Sequence, residues 1–290
     1  DPALALDANL GLAWHFGCDG ISLQAITVSI IKRLQTILHV PRVVTWGGSA
    51  GGFAAIRVAK DIPNSIAFVW NPQTDIAKYE PGHVMRYLSS AFPTIAVDGT
   101  LPADREQITS FCTKEFREGY KGCVLYLQER TDWHVDAHLK PFLTSFCGEA
   151  HSNVTDSSNF SGFVTDQLYL HLDHWGEGHV EPRGAVVAKV LSILSNVVLA
   201  CHTGEVIQTA ALNLPQHAPA MKSSEKIGSD PLGSASHNAL PLELKDVLAI
   251  RMDRIVDDFA PFDVTVRCSG DTVALPLFTR EIMEVSLSQG

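Results

Sequence analysis

The 290 residues are 46% hydrophobic and carry a formal charge of -10, enough apolar content for a large core and too much for a chain disordered throughout. With no long Lys/Arg run, this acidity excludes a phosphate-backbone binder, because nucleic-acid affinity rests on clustered positive charge. The longest apolar runs are broken by Lys32-Arg33 or by Lys189 and fall short of the roughly 18–20 residues that a membrane span needs, so a soluble, cytoplasmic protein is expected.

Residues 10–16 read as a buried strand, followed by a loop over 17–20. From Ser22 as N-cap, Leu23, Ile26, Ile30, Leu34 and Ile37 recur at helical spacing and predict an amphipathic helix that stops before Pro41. Residues 43–46 form the next strand, and a helix runs over 53–60 after a glycine-rich turn. Residues 66–70 repeat the strand pattern and end in Asn71-Pro72-Gln73-Thr74-Asp75. Strand and helix in this alternation predict an α/β fold with a mostly parallel sheet, in which ligands bind at the carboxyl ends of the strands.

Residues 76–121 read either as a cap over such a site or as two helices packed on the sheet. A strand at 123–127 leads to Asp132, a helix suits 138–146, and 152–161 is a polar loop. The strand at 168–172 is followed by a glycine-flanked loop holding His179, then by a helix over 185–200. The expected organisation is a catalytic domain at 1–212, a linker or long loop at 213–241, where Pro, Ser, Gly, Ala and His replace any periodicity, and a β-rich segment at 242–290. Strand patterns there fall at 247–250, 262–268 and 273–277.

Six cysteines (Cys18, Cys112, Cys123, Cys147, Cys201 and Cys268) lack any Cys-x-x-Cys pairing, so reduced thiols are expected and no metal or other cofactor is implied. Asn153-Val154-Thr155 and Asn159-Phe160-Ser161 match the glycosylation pattern and are read as loop composition. The chain opens on Asp1-Pro2 without a methionine or a signal-peptide profile, which reads as a piece cut from a longer protein.

The chemistry concentrates at Gly47-Gly48-Ser49-Ala50-Gly51-Gly52. A serine at the tip of a sharp strand-to-helix turn, with small residues two before and two after it, is the pattern of a nucleophile elbow; a phosphate-binding loop would carry a lysine where Phe53 stands. A serine hydroxyl needs a base within reach and an acid to orient that base. The order Ser49, Asp132, His179, each shortly after a predicted strand, supplies nucleophile, acid and base in the order of α/β-hydrolases. The Ala50 backbone N–H is one oxyanion donor, and a second is expected from a loop after an earlier strand. His134 and His138 compete for the base, and Asp136 and Asp75 for the acid. The His134/His138 pair reads as a helix surface, while His171 and His174 read as structural.

Several blocks together carry a resemblance: Asp1-Pro2-Ala3-Leu4, Leu12-Ala13-Trp14-His15-Phe16-Gly17, the elbow through Phe53, Asn71-Pro72-Gln73-Thr74-Asp75 and Gly178-His179-Val180-Glu181-Pro182. Over 1–182 the chain resembles serine α/β-hydrolase-like proteins of bacterial glycan and capsule loci, related to an acetyltransferase component of the accessory secretion system. The resemblance implies a three-layer α/β-hydrolase-like sandwich and a Ser49-Asp132-His179 triad. It further implies hydrolysis or transfer of O-acyl groups on small-molecule or glycan esters. Its members carry sequence ahead of the Asp-Pro, including a strand whose loop supplies the second oxyanion donor. The competing expectation is a non-catalytic scaffold of the same fold, with protein partners in a glycan biosynthesis or export complex.

Overall fold

The computed structural model describes residues 1–40, 42–93, 118–148, 154–155, 159–196, 203–212, 214, 247–251, 263–268 and 271–276. A 3-10 turn at Pro2–Ala5, capped by the Asp1 side chain, leads to a small antiparallel pair, β1 (Gly17–Cys18) and β2 (Ile21–Ser22). Helix α1 (Leu23–Leu38) begins where Ser22 Oγ accepts from the Ala25 N–H and ends at His39, whose φ of 52° turns the chain into the left-handed region. Strand β3 (Arg42–Gly48) runs straight into α2 (Ser49–Lys60), and β4 (Ile66–Trp70) follows. Next come α3 (Pro81–Ala91), β5 (Cys123–Glu129), α4 (Lys140–Cys147), β6 (Phe160–Thr165), β7 (Leu168–Asp173), α5 (Gly184–Asn196) and α6 (Thr203–Ala211). The last described elements are β8 (Val247–Arg251), β9 (Asp263–Cys268) and β10 (Asp271–Pro276).

The fold is mixed α/β around a six-stranded sheet of order β6-β7-β5-β4-β3-β8. Five of its strands are mutually parallel, and β6 pairs antiparallel with β7 at one edge. Both faces are covered, as the near-continuous apolar strands require. Val43, Ala67, Val69, Val124 and Tyr126 face a core shared with α1, α2, α3 and α4, whereas Val44, Ile66, Phe68, Leu125 and Leu127 face α5 and α6. Successive side chains of each strand therefore serve opposite layers.

Three local expectations are corrected. Residues 10–16 form an irregular segment closed by a turn at 14–16 rather than a strand, because Trp14 and His15 take positive φ of 51° and 52°, a conformation that no pleated strand admits. Residues 160–165, which begin inside the expected polar loop and extend past its end, form the antiparallel edge strand β6. The His134/His138 pair is no helix surface, since both rings are fully buried. Within 76–121, α3 buries Val84, Tyr87, Leu88 and Ala91 in the main core, while Phe111 and Phe116 lie outside the described residues. So do 215–246, nearly all of the expected linker. From the C-terminal segment, β8 joins the main sheet beside β3, and β9 and β10 form a separate antiparallel pair. No helix among the described residues is long and apolar enough to cross a membrane.

Candidate active site

Ser49 is the first residue of α2, directly after β3, and its φ of 51° is the strained backbone that a nucleophile elbow demands. The turn closes only because its neighbours are glycines. A Cβ on Gly48 would drive into the Trp70 indole, and one on Gly52 would fall 2.5 Å from the Pro72 Cβ. Ala50 lies in the first turn of α2, where amides have no acceptor inside the helix and the helix dipole favours negative charge.

Asp132 follows β5 and His179 follows β7, and the two meet: His179 Nδ1 donates to Asp132 Oδ2 at 2.7 Å. The other carboxylate oxygen, Oδ1, accepts from the His134 backbone N–H at 3.0 Å. Asp132 is buried while the His179 side chain is 40% exposed, the division expected of an orienting acid and a base that reaches solvent-borne substrate. Burial pushes the Asp132 carboxyl upward, but the hydrogen bonds from His179 and the His134 backbone, with the nearby imidazoles, together hold it below its ordinary value.

The sheet thus brings Ser49, Asp132 and His179 to the carboxyl ends of strands in one parallel sheet. The structure does not join Ser49 to His179 by a hydrogen bond. Instead Ser49 Oγ accepts from Gln73 Nε2 at 3.2 Å, and the Ser49 carbonyl accepts from the Gln73 backbone N–H at 3.0 Å.

The rivals have other duties. His134 Nδ1 donates to the Asn71 carbonyl at 2.8 Å, which fixes its tautomer, and His138 Nδ1 accepts from the Thr74 N–H at 3.3 Å. Burial lowers the His134 imidazole to about 4 and the His138 imidazole to about 3, so both are neutral at pH 7. Asp136 pairs with Lys140 on the surface, and Asp75 accepts from the Ala77 N–H to cap a 3-10 turn. His171 and His174 bond Ser161 and Glu129, as structural residues would.

Ligand atoms of Asp132, His134 and His179 lie within 4.8 Å of one another, a spacing that a metal ion could bridge. The proton on His134 Nδ1 and the direct His179–Asp132 hydrogen bond fit a carboxylate–imidazole pair better, because a metal would replace that bond.

Sequence reasoning missed the residues that hold these loops. Asn71, at φ 41°, donates from Nδ2 to the Val180 carbonyl at 2.7 Å and accepts at Oδ1 from the Glu129 N–H at 2.7 Å. It therefore ties the ends of β4 and β5 to the His179 loop. Glu129 is fully buried and accepts from the Thr131 N–H and hydroxyl, His174 Nδ1, and the Trp175 and Gly176 N–H groups. The Thr131 hydroxyl in turn accepts from the Gly178 N–H at 2.9 Å. A cluster of polar residues just past a strand, as in Asn71-Pro72-Gln73-Thr74-Asp75, was the available signal, since it must fall at the same sheet edge as Ser49.

The chain matches no protein-family model, no curated protein and no solved structure.

Proposed function

We propose that the protein is an α/β-hydrolase-like serine esterase or deacetylase, or a mechanistically equivalent acetyltransferase, acting on carbohydrate-linked O-acyl groups. The observation that carries this reading is the 2.7 Å Asp132–His179 hydrogen bond, set at the same end of one parallel sheet as a serine held at positive φ. Asp132 keeps the proton on His179 Nδ1, which leaves Nε2 as the base. Ser49 Oγ attacks the acyl carbonyl as His179 takes its proton. The leaving alkoxide then takes that proton back, and an acyl-Ser49 ester remains. Water or a sugar hydroxyl repeats the sequence in reverse, so hydrolysis and transfer differ only in the acceptor.

Support for a sugar-borne ester comes from Trp133, next to Asp132, 45% exposed and with its ring centroid 6.0 Å from that of Tyr79. Aromatic faces of this kind suit the apolar face of a pyranose ring. One observation favours the scaffold reading, in which the fold binds glycan-modifying partners without turnover: Ser49 Oγ is bonded to Gln73 and not to His179. Catalytic hydrogen bonds are commonly formed only with substrate in place, so the enzyme reading is preferred.

Release of nitrophenolate from p-nitrophenyl acetate, with and without free hexose as acceptor, tests the reading. The expected result is turnover that falls at least about 10³-fold in Ser49→Ala, with acetylated hexose as product if transfer operates. Equal rates in wild type and Ser49→Ala would refute it.

A further inference from the structure

Acyl transfer through a serine uses two hydrogen-bond donors aimed at the developing oxyanion. Ala50 accounts for one. The other described group that presents a donor at the nucleophile is the Gln73 side chain, which is fully buried. Its Nε2 lies 3.2 Å from Ser49 Oγ and makes no other hydrogen bond among the described residues, although a primary amide carries two N–H groups.

The direction of this amide is determined by its surroundings. Gln73 Oε1 accepts from Trp14 Nε1, and an indole N–H can only donate, so the carbonyl oxygen must face Trp14 and the NH2 must face Ser49. Trp14 is itself immobilised. It is 1% exposed, packs edge-on against Tyr79 with centroids 5.9 Å apart, and meets the Tyr87 ring at a tilt with centroids 5.2 Å apart. Its turn is anchored at Gly17, whose N–H donates to Asp1 Oδ2 at 3.2 Å and whose carbonyl accepts from the Tyr87 hydroxyl at 2.9 Å. The blocks around Asp1 and Trp14 thus act at a distance on the serine.

We infer that Gln73 is a catalytic residue, its side-chain amide serving as the second oxyanion donor opposite the Ala50 N–H; this rests on the serine acyl-transfer reading above. As the Ser49 Oγ–carbon bond forms, the carbonyl π pair moves onto oxygen and is met by the Ala50 and Gln73 N–H groups. When the tetrahedral adduct collapses, that pair re-forms the carbonyl and the bond to the leaving oxygen breaks, with His179 returning its proton to that oxygen. In the resting state the same amide donates to Ser49 Oγ, so the serine proton is left free to point elsewhere, toward a base.

Gln73→Glu keeps the size and the acceptor for Trp14 while removing the donors. With p-nitrophenyl acetate it is expected to lower kcat by about 10²–10³-fold with KM little changed. Binding of trifluoroacetophenone, which forms a hemiketal oxyanion on the serine, should weaken in parallel. Trp14→Phe releases the amide to rotate and should lower both quantities by about tenfold. This second variant decides the matter if Gln73→Glu does not fold. Wild-type-like kcat and ketone affinity in folded Gln73→Glu, with His179→Ala inactive, would overturn the role of Gln73 and leave the triad standing. If folded wild type and Gln73 variants are all inert, the serine reading falls, and the assignment of Gln73 with it.

Discussion

A carboxylate as deeply buried as Glu129 is costly unless its lone pairs are met, and here five donors converge on it, from Thr131, His174, Trp175 and Gly176. It therefore shapes the stretch between β7 and His179 while touching neither Ser49 nor His179. Glu129→Gln sets an NH2 against backbone N–H groups, and the expected outcome is a loss of roughly 2 kcal/mol in urea unfolding with at least a tenfold fall in esterase kcat/KM. Unchanged unfolding and activity would mean that the loop is held by other contacts. The strand-end positions of Ser49, Asp132 and His179 were legible in the sequence because each follows an apolar strand by a few residues, and the order of the three is what suggested the chemistry proposed for them. The duties of Glu129, Asn71 and Gln73 were not. The polar run after β4 marks where Asn71 and Gln73 fall, but each of the three acts through a partner far along the chain, as when Asn71 bonds Val180, and that pairing is not written in the local pattern. The same blindness made His134 and His138 look like a helix surface: the i, i+4 spacing was visible, but not the burial that neutralises them.

Elements with strong local periodicity were readable, and those set by packing were not. The Ser22 cap and the 3.6-residue pattern of α1, the apolar β4 and the apolar run 123–127 that opens β5 were each foreseen within two residues of their ends. Residues 10–16 misled because an apolar run fits a strand as well as a buried turn, and only tertiary contacts of Trp14 select the latter. Strand β6 was hidden by Ser161 and Gly162 on an exposed edge, where one face meets solvent and strand propensity is weak. The β3–α2 elbow depends on the approach of Gly52 to Pro72. Gly52→Ala should destabilise the fold by roughly 1–3 kcal/mol and, by pushing on Pro72, displace Gln73 from Ser49. Urea unfolding and esterase assay together check this, and full stability with full activity would show that the elbow has slack.

At the scale of the molecule, the parallel order of β3, β4, β5 and β7 followed from strand–helix alternation, whereas the pairing of β8 with β3 joins residues about 200 positions apart and no local pattern could announce it. Two buried neutral histidines give the whole fold a pH dependence. Their imidazoles sit at about 4 and about 3 when folded, against about 6.5 when unfolded. Above pH 6.5 neither state binds the protons, and stability is full. As pH falls from about 6.5 toward 4, the unfolded chain takes up protons that the folded one refuses, and stability declines by up to about 1.4 kcal/mol per pH unit for each histidine. Urea midpoints should fall across that window, and His138→Gln should reduce the slope; an unaltered slope would mean that His138 is not buried neutral. Acyl transfer by the proposed route requires Ser49 to be a nucleophile activated by His179. Intact-mass analysis after treatment with a fluorophosphonate probe reads that activation, beside folded Ser49→Ala and His179→Ala. Stoichiometric addition of one probe to the wild type and none to either variant is expected. Folded wild type that stays unlabelled, or labelling that persists in Ser49→Ala, would contradict an activated Ser49.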